Sequence, residues 1–168
     1  DPQGLAELAR VADAVTTAFE NVPAAALATL AAQRPVSPAA SAVSVAQDRA
    51  REKAHFVACG VPCAPYAVIE TAEQLAAVSP DLLPGILKTA RMGYDGKGQV
   101  RVKTPAELAA AWDSVGQVPC VLEKMLPLQL ECSVIVARGA DGAMVHLPVQ
   151  RNLHRDGILA VTEVYEQN

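Results

Sequence analysis

The stretch ILKTARMGYDGKGQ, residues 86–99, governs the interpretation of this sequence because it joins an apolar run to a glycine-rich loop. Gly93, Gly96 and Gly98 lie in this loop, and glycine lets backbone amides turn toward a phosphate without obstruction by Cβ. The glycine order matches neither a Walker loop nor a dinucleotide-binding fingerprint. Taken alone, the loop is compatible with a flexible phosphate cover or with an ordinary hairpin loop.

Strands and helices are predicted to alternate around this loop. Thr71 with Gln74, and Thr104 with Glu107, form capping-box patterns that predict helix starts. Apolar patterns predict strands at residues 64–70, 85–90, 100–103 and 120–126. Beyond residue 129 an antiparallel meander is predicted, with strands at residues 130–138, 143–149 and 158–166. These patterns indicate an α+β or mixed α/β fold.

The N-terminal part is predicted to be mainly helical. Residues 3–13 show helical spacing of apolar positions, and residues 16–19, TTAF, are predicted as a short buried strand. Pro23 is typical of a first helical turn and opens an alanine- and leucine-rich helix that ends before Pro35. Helical segments then continue to Gly60, which marks a predicted boundary.

Composition and charge exclude several classes of function. Hydrophobic residues make up 51% of the 168 residues and aromatic residues only 4%, so the core is predicted to consist of Ala, Val and Leu. A net charge of -4 gives no general attraction to nucleic acid or to an anionic membrane. Because no signal segment or membrane-spanning run is evident, we expect a cytoplasmic protein without either partner.

The cysteine spacing matches no metal-binding pattern. Buried reduced thiols are predicted, with zinc binding or a catalytic thiol as alternatives. The four residues are Cys59, Cys63, Cys120 and Cys132.

Charged residues in apolar surroundings supply the candidate site. Lys88 lies near the end of the run before the glycine-rich loop, where a cation is either at the surface or bound to phosphate. Glu123 and Glu131 interrupt apolar strands, and each either contacts solvent or accepts hydrogen bonds from a base and a ribose. His154, in a basic stretch, is either a phosphate ligand or a solvated side chain.

A second polar cluster lies in the helical region before Gly60. It contains Gln47, Asp48, Arg49, Arg51 and Lys53. Such a cluster either forms a solvated helix face or places one arginine on a phosphate. The sequence leaves both interpretations open.

Together these segments resemble one enzyme family. The relevant segments are QDR at 47–49, the loop segment at 86–99, EK at 123–124 with Glu131, and NLHRDGIL at 152–159. They resemble the ATPase subunit of phosphoribosylaminoimidazole carboxylase, also called 5-(carboxyamino)imidazole ribonucleotide synthetase, a member of the ATP-grasp superfamily. The resemblance covers nearly the whole chain, and residues 87–99 are its most specific part.

The resemblance implies a partial ATP-grasp fold preceded by the end of a Rossmann-like N-terminal domain. The last predicted strand runs to the end of the sequence, and we expect the chain to be the central segment of a longer enzyme, inactive by itself. The implied segments are residues 1–40 for the end of the nucleotide-substrate domain, 41–62 for linking helices, 63–126 for the small ATP-grasp lid subdomain, and 127–168 for the start of the large subdomain.

The resemblance also implies a reaction of de novo purine synthesis. ATP and bicarbonate would form carboxyphosphate, which would carboxylate the exocyclic amine of aminoimidazole ribonucleotide and release phosphate. This chemistry requires charge neutralisation on the transferring phosphoryl group and exclusion of water. Mg²⁺ is implied with ligands outside this chain, and the full-length enzyme is expected to be a homodimer. Alternatives are another carboxyphosphate or acyl-phosphate ATP-grasp ligase, or a nucleotide-binding fragment without turnover.

Individual roles follow from the same resemblance. Arg49, Lys88 and His154 would contact phosphates, and Glu131 would bind the ribose. Adenine would be held by Glu123, Lys124, Met125 and Leu126. The loop closing over the phosphates would comprise Gly93, Tyr94, Asp95, Gly96, Lys97, Gly98 and Gln99.

The same comparison assigns a substrate side. Glu20, Tyr94, Asp95 and Lys97 would face aminoimidazole ribonucleotide and bicarbonate, and Asp95 and Lys97 are the implied catalytic residues. Ala18 stands where the family usually has an acid.

Overall fold

Residues 1–93, 97–155 and 158–165 are described by the computed structural model. They divide into two units: Asp1–Gly93 with Gly98–Met125, and Lys97 with the described residues from Leu126 onward. Both helices and strands are present, which confirms the predicted mixed α and β architecture. In the described part of the chain, no helix has the length and apolar character needed to cross a bilayer.

Four helices occupy the first third of the chain, largely where the sequence predicts them. Asp1 and Asp48 begin the first and fourth, and each aspartate side chain accepts hydrogen bonds from two backbone N–H groups. These caps satisfy N–H groups that have no acceptor within the helix. The helices are Pro2–Val11 (α1), Ala24–Ala31 (α2), Ala40–Ala46 (α3) and Arg49–Ala58 (α4).

The prediction of a buried strand at residues 16–19 is wrong. Val15 forms an isolated parallel bridge with Val36, and Phe19 is exposed. The Thr17 hydroxyl donates to the Phe19 carbonyl oxygen at 2.7 Å, so the backbone turns locally instead of continuing the extended pairing. The apolar run was too short to distinguish a strand from such a turn.

A four-stranded antiparallel sheet lies in the first unit. Its order is β1-β4-β2-β3, so β2 and β4 are the two central strands. The register places Lys88 of β2 opposite Gln99 on one side and Val121 on the other. The strands are Tyr66–Ile69 (β1), Gly85–Thr89 (β2), Gln99–Val102 (β3) and Cys120–Lys124 (β4).

Two further helices accompany this sheet and begin at the predicted caps. Ala72–Ala76 (α5) has the full capping box of Thr71, and Pro105–Ser114 (α6) is capped by the Thr104 side chain. A short 3-10 helix, Pro80–Leu82, precedes β2. Burial of large apolar side chains contributes about 1.5–3 kcal/mol each and fixes β2 and β4 in place. These side chains include Ile69, Leu87, Val102, Leu108, Trp112 and Leu122.

The second unit is built from short antiparallel strands. They are Glu131–Ser133 (β5), Val136–Arg138 (β6), Met144–His146 (β7), Gln150–Arg155 (β8) and Ile158–Val164 (β9). β8 lies between β5 and β9 in one sheet, whereas β6 and β7 pair separately.

Two predictions for this region are wrong. The strand at residues 130–138 is interrupted, because β5 pairs with β8 while β6 pairs with β7. For the same reason the strands do not form a simple meander. β8 was not predicted as a strand, since its sequence QRNLHR has one strongly apolar residue and no apolar alternation.

Candidate functional site

Two lysines share the carboxylate of Glu123. Lys88 and Glu123 lie on the adjacent strands β2 and β4, two register positions apart, so both side chains fall on one face of the sheet. Lys88 Nζ donates to Glu123 Oε2 at 2.9 Å. Lys53 Nζ, from α4, lies 3.3 Å from Glu123 Oε1. The sheet register and one helix therefore bring together three charges that are distant in sequence.

The cluster Lys53, Lys88 and Glu123 is largely buried and has an excess positive charge. The side chains are 11%, 20% and 14% exposed, respectively. Burial alone would raise the pKa of Glu123, but the hydrogen bond and charge of Lys88, together with Lys53, hold that pKa below its ordinary value. The carboxylate balances one of the two ammonium groups. The remaining charge favours an anionic ligand.

Lys53 is the residue of this cluster that sequence reasoning did not assign to the site. Its Nζ lies 5.2 Å from the centroid of the Tyr66 ring, which adds a cation–π contact to its ion pair. The four-residue spacing from Arg49 places both cations on one side of α4. That spacing was visible in the sequence, but nothing in the sequence pointed to Glu123 as the partner.

A polar cavity of about 230 Å³ adjoins the end of β2. Gln47 lines it and is 5% exposed. The Gln47 side-chain amide donates to the carbonyl oxygens of Glu20 and Val22, and its Oε1 accepts from Arg91 Nη2 at 3.1 Å. One buried amide therefore links the segment before α2 to the residues that follow β2.

Arg49 lines the same cavity and begins α4. Its backbone N–H donates to the Ala90 carbonyl oxygen at 2.8 Å. Its Nε is buried and has no hydrogen-bond partner among the described residues. Leaving a buried donor unpaired costs about 1–3 kcal/mol, and an anionic oxygen is a suitable acceptor. With Gln47 and Lys53 buried, this segment is not an ordinary solvated helix face.

The glycine-rich loop is described at its two ends. Gly98 has a φ of 71°, and a Cβ there would lie 2.6 Å from Thr89 Oγ1, so this position requires glycine. The Thr89 N–H also donates to the Gly98 carbonyl oxygen at 2.8 Å. Lys97 and Gln99 are exposed, and Gly93 lines the polar cavity. The predicted site residues outside the described part of the chain are Tyr94, Asp95 and Gly96.

The segment after Glu123 uses its backbone to hold the first unit together. The Lys124 N–H donates to the Pro65 carbonyl oxygen at 2.9 Å, and the Met125 N–H donates to the Pro84 carbonyl oxygen at 3.0 Å. These two donors are therefore engaged within the protein. Leu126, predicted with them, belongs to the second unit.

The second unit brings Glu131 and His154 together. Glu131 lies on β5 and His154 on β8, and the paired residues Glu131 and Asn152 set their register. His154 Nδ1 is in close contact with Glu131 Oε2, and both side chains are partly exposed. The sequence predicted separate ribose and phosphate roles for these residues but not this direct contact.

Two domain families match the chain. The ATP-grasp domain matches residues 54–167, and the ribonucleotide synthetase preATP-grasp domain matches residues 1–47. Arg49 and Lys53 lie in the short segment between the two matches.

Known enzymes resemble the chain over nearly its whole length. It is 38% identical over 163 residues to N5-carboxyaminoimidazole ribonucleotide synthase of Pseudomonas aeruginosa, covering 96% of this chain and 45% of that protein. It is 40% identical over 167 residues to the enzyme of the same name from Brucella melitensis, covering 98% and 46%. A crystal structure described as the ADP complex of N5-carboxyaminoimidazole ribonucleotide synthetase superposes with a TM-score of 0.86, at 35% identity, covering 95% of this chain and 42% of that one. The chain thus spans less than half the length of these proteins.

Proposed function

The chain belongs to the ATP-grasp family, and from this premise we propose that it is the nucleotide-binding centre of an enzyme that carboxylates aminoimidazole ribonucleotide. The proposed reaction consumes ATP and bicarbonate and gives 5-(carboxyamino)imidazole ribonucleotide, ADP and phosphate. The names of the relatives give the product, N5-carboxyaminoimidazole ribonucleotide, and the proposed substrate is the amine from which that product forms. The ligand class is supported by the chain's own buried cation cluster.

The observation that carries the proposal is the Lys53, Lys88 and Glu123 cluster beside the base of the glycine-rich loop. Lys88 precedes Thr89, whose N–H bonds to the carbonyl of Gly98 in that loop. A phosphate near Lys88 would therefore lie next to glycine-rich backbone as well as an ammonium group. Glu123 offers a carboxylate that can accept a hydrogen bond from the adenine amino group.

The proposed chemistry has two steps. A bicarbonate oxygen attacks the γ-phosphorus, the bond to the β–γ bridging oxygen breaks, and ADP leaves. The exocyclic amine nitrogen then attacks the carboxyl carbon, the bond to the phosphate oxygen breaks, and the amine loses a proton. Lys88 and Arg49 would balance negative charge on the phosphates, and the loop would exclude water from the labile mixed anhydride.

The polar cavity near β2 is the proposed substrate side. Glu20 and Arg91 line it, and Gln47 holds both through hydrogen bonds. As the family resemblance implies, Asp95 and Lys97 would act on the reacting groups. Glu131 and His154 would bind ribose and phosphate from their own unit.

The described residues contain no cluster that would hold Mg²⁺ by protein side chains alone. No group of three or more His, Cys, Asp or Glu side chains capable of holding a metal occurs among them. We therefore assign no Mg²⁺ ligand to this part of the chain and derive no step through the metal. Magnesium, bicarbonate, a homodimer and a cytoplasmic location belong to the proposal through the family resemblance.

The proposed subdivision also follows the family resemblance. Residues 1–40 would form the end of the nucleotide-substrate domain, and residues 41–62 would be linking helices. Residues 63–126 would form the small ATP-grasp lid subdomain, and residues 127–168 the start of the large subdomain. The preATP-grasp match at residues 1–47 supports the presence of two kinds of domain.

Turnover by the full-length protein tests the proposed reaction. We expect ATP hydrolysis that depends on aminoimidazole ribonucleotide and bicarbonate, with the amine carboxylated. Lys88→Ala should reduce kcat/KM about 10- to 100-fold, the effect of losing one charge-assisted hydrogen bond. Lys103→Ala, which removes an exposed lysine, is the matched control. ATP hydrolysis independent of the ribonucleotide would contradict the proposal.

A second candidate is nucleotide binding without turnover by this chain. The chain spans less than half the length of the relatives that it matches, and this favours the second candidate. Turnover by the 168-residue chain alone would rule it out. Offering biotin carboxylase and formate-dependent transformylase acceptors in parallel separates the proposed substrate from those of other ATP-grasp ligases.

A further inference from the structure

We propose that Lys53 is a positioning residue that stays paired with Glu123 while Lys88 leaves that carboxylate for the phosphate oxygens of a bound nucleotide. The inference rests on the proposed nucleotide-binding function and assigns different roles to the two lysines of the cluster. Neither the family matches nor the sequence motifs give Lys53 a role.

The two lysines contact different oxygens of one carboxylate. Lys88 Nζ is 2.9 Å from Oε2 of Glu123, and Lys53 Nζ is 3.3 Å from Oε1. Either cation can therefore withdraw without moving the other. If Lys88 moved away and Lys53 were absent, the buried carboxylate would lose its countercharge, which is strongly unfavourable.

The surroundings indicate which lysine remains. Lys53 is the less exposed of the two, and its ammonium group is also held over the Tyr66 ring at 5.2 Å. Lys88 is one residue from Thr89, which bonds to Gly98 of the glycine-rich loop. Lys88 thus adjoins in sequence the backbone that can hold a phosphate, and Lys53 has a second fixed contact.

The excess positive charge of the cluster favours the transfer of Lys88 from Glu123 to an anionic ligand. Two ammonium groups and one carboxylate leave one positive charge in the cluster. An arriving phosphate can take Lys88 while Glu123 and Lys53 remain a neutral pair. Without Lys53, Glu123 and phosphate would compete for the same ammonium group.

Adenosine and ADP distinguish this role from a purely structural one. Calorimetric titration of each ligand gives the ratio of their dissociation constants in the parent chain and in Lys53→Met. We expect the preference for ADP over adenosine to fall about 10- to 100-fold in Lys53→Met, because one charge-assisted phosphate contact is lost. Lys53→Arg should preserve the preference, and Lys103→Met should leave it unchanged.

A double variant provides the sharper test. In Lys53→Met with Glu123→Gln, Lys88 no longer has a carboxylate to neutralise, so the preference for ADP should return even though adenosine binds more weakly. A general loss of folded protein would weaken the binding of ADP and adenosine equally and would leave the ratio of their dissociation constants unchanged. Failure of the double variant to restore the preference would overturn the proposal.

Side-chain ammonium resonances of the ¹⁵N-lysine-labelled parent chain test the exchange in the unsubstituted protein. On ADP titration, the Lys88 signal should move while the Lys53 signal stays, with assignments made from Lys53→Arg and Lys88→Arg. A shift of the Lys53 signal with an unchanged Lys88 signal would overturn the inference.

The binding measurements distinguish failure of the proposed nucleotide site from failure of the role proposed for Lys53. Binding of neither ADP nor adenosine to the parent chain would contradict the proposed nucleotide site and the exchange together. ADP binding with an unchanged preference in folded Lys53→Met would overturn the role of Lys53 alone.

Discussion

The sequence has a net charge of -4, yet the carboxylate of Glu123 lies between two lysine ammonium groups. Bulk charge therefore does not describe the local field that a ligand encounters. Burial raises the pKa of Glu123, but the hydrogen bonds and Coulombic attraction of Lys88 and Lys53 together outweigh that effect and lower this pKa. The charged form of Glu123 is thus the one that the fold stabilises.

Glu123→Gln should reveal this stabilisation through its pH dependence. Because the folded pKa lies below the ordinary value of 4.5, the contribution is present above that value and disappears as the pH falls through the folded pKa. We expect the variant to lose about 1–3 kcal/mol in free energy of unfolding near pH 7. Urea unfolding at several pH values measures the difference.

The control is Glu70→Gln, which neutralises an exposed carboxylate. Its free energy of unfolding should differ little from the parent value across the same pH range. A difference between parent and Glu123→Gln that persisted unchanged well below pH 4.5 would contradict the assigned ion pairs.

Cysteine reactivity should divide the four thiols. Burial raises the pKa of Cys120 to about 11, whereas Cys59 and Cys132 are exposed. The prediction of four buried thiols is therefore wrong for these two. A maleimide reagent at neutral pH should label Cys59 and Cys132 first and leave Cys120 unmodified until the chain is unfolded. Mass spectrometry of peptides after timed labelling measures the order; early labelling of Cys120 would contradict the described core.

At the scale of elements, the β2–β3 loop depends on a close approach at Gly98. A Cβ at this position would meet Thr89 Oγ1 at 2.6 Å, whereas a Cβ at Gly60 would meet nothing within 4 Å. Both glycines have positive φ values, 71° and 73°. Comparing alanine substitutions at Gly98 and Gly60 therefore separates the cost of backbone strain from the cost of a steric clash.

Gly98→Ala should destabilise the chain more than Gly60→Ala. Gly60→Ala is expected to cost about 1 kcal/mol through backbone strain alone. Gly98→Ala should cost about 1–3 kcal/mol more, since Thr89 must also shift. Equilibrium unfolding in urea provides the comparison, and equal costs would argue against the described loop base.

The sequence identified elements wherever local chemistry is decisive. Thr71 and Thr104 both cap helices at the predicted positions, because the capping hydrogen bonds involve neighbouring residues. Prediction from the sequence failed where strand pairing depends on residues that are distant in the chain. β8 is stabilised as a strand by β5 and β9 on its two sides, although its own sequence is mostly polar.

At the scale of the whole molecule, the sequence supplied the family but only part of the candidate site. The motif at residues 86–99 led to a resemblance that the similarity to N5-carboxyaminoimidazole ribonucleotide synthases confirms. Lys88 and Glu123 were predicted because they interrupt apolar strands. Lys53 was not predicted as a site residue. Its ion pair with Glu123 depends on the packing of α4 beside β4, which no local sequence pattern indicates.

The make-up of the polar cavity is also visible only at this scale. The polar cavity combines Glu20, Gln47 and Arg91, which come from opposite sides of the boundary between the two family matches. Their hydrogen bonds make the preATP-grasp segment part of the surroundings of the glycine-rich loop base. The proposed substrate side is therefore not confined to the ATP-grasp match.

Calorimetric titration of MgADP into the chain tests the central claim most directly, with Lys88→Ala, Glu123→Ala and the control Lys103→Ala measured beside the parent. We predict saturable binding by the parent and by Lys103→Ala, and a loss of affinity of about 10- to 100-fold in each of the other two variants. Binding that is unaffected by Lys88→Ala and Glu123→Ala in folded protein, or no binding by the parent, would contradict the placement of the nucleotide at this cluster.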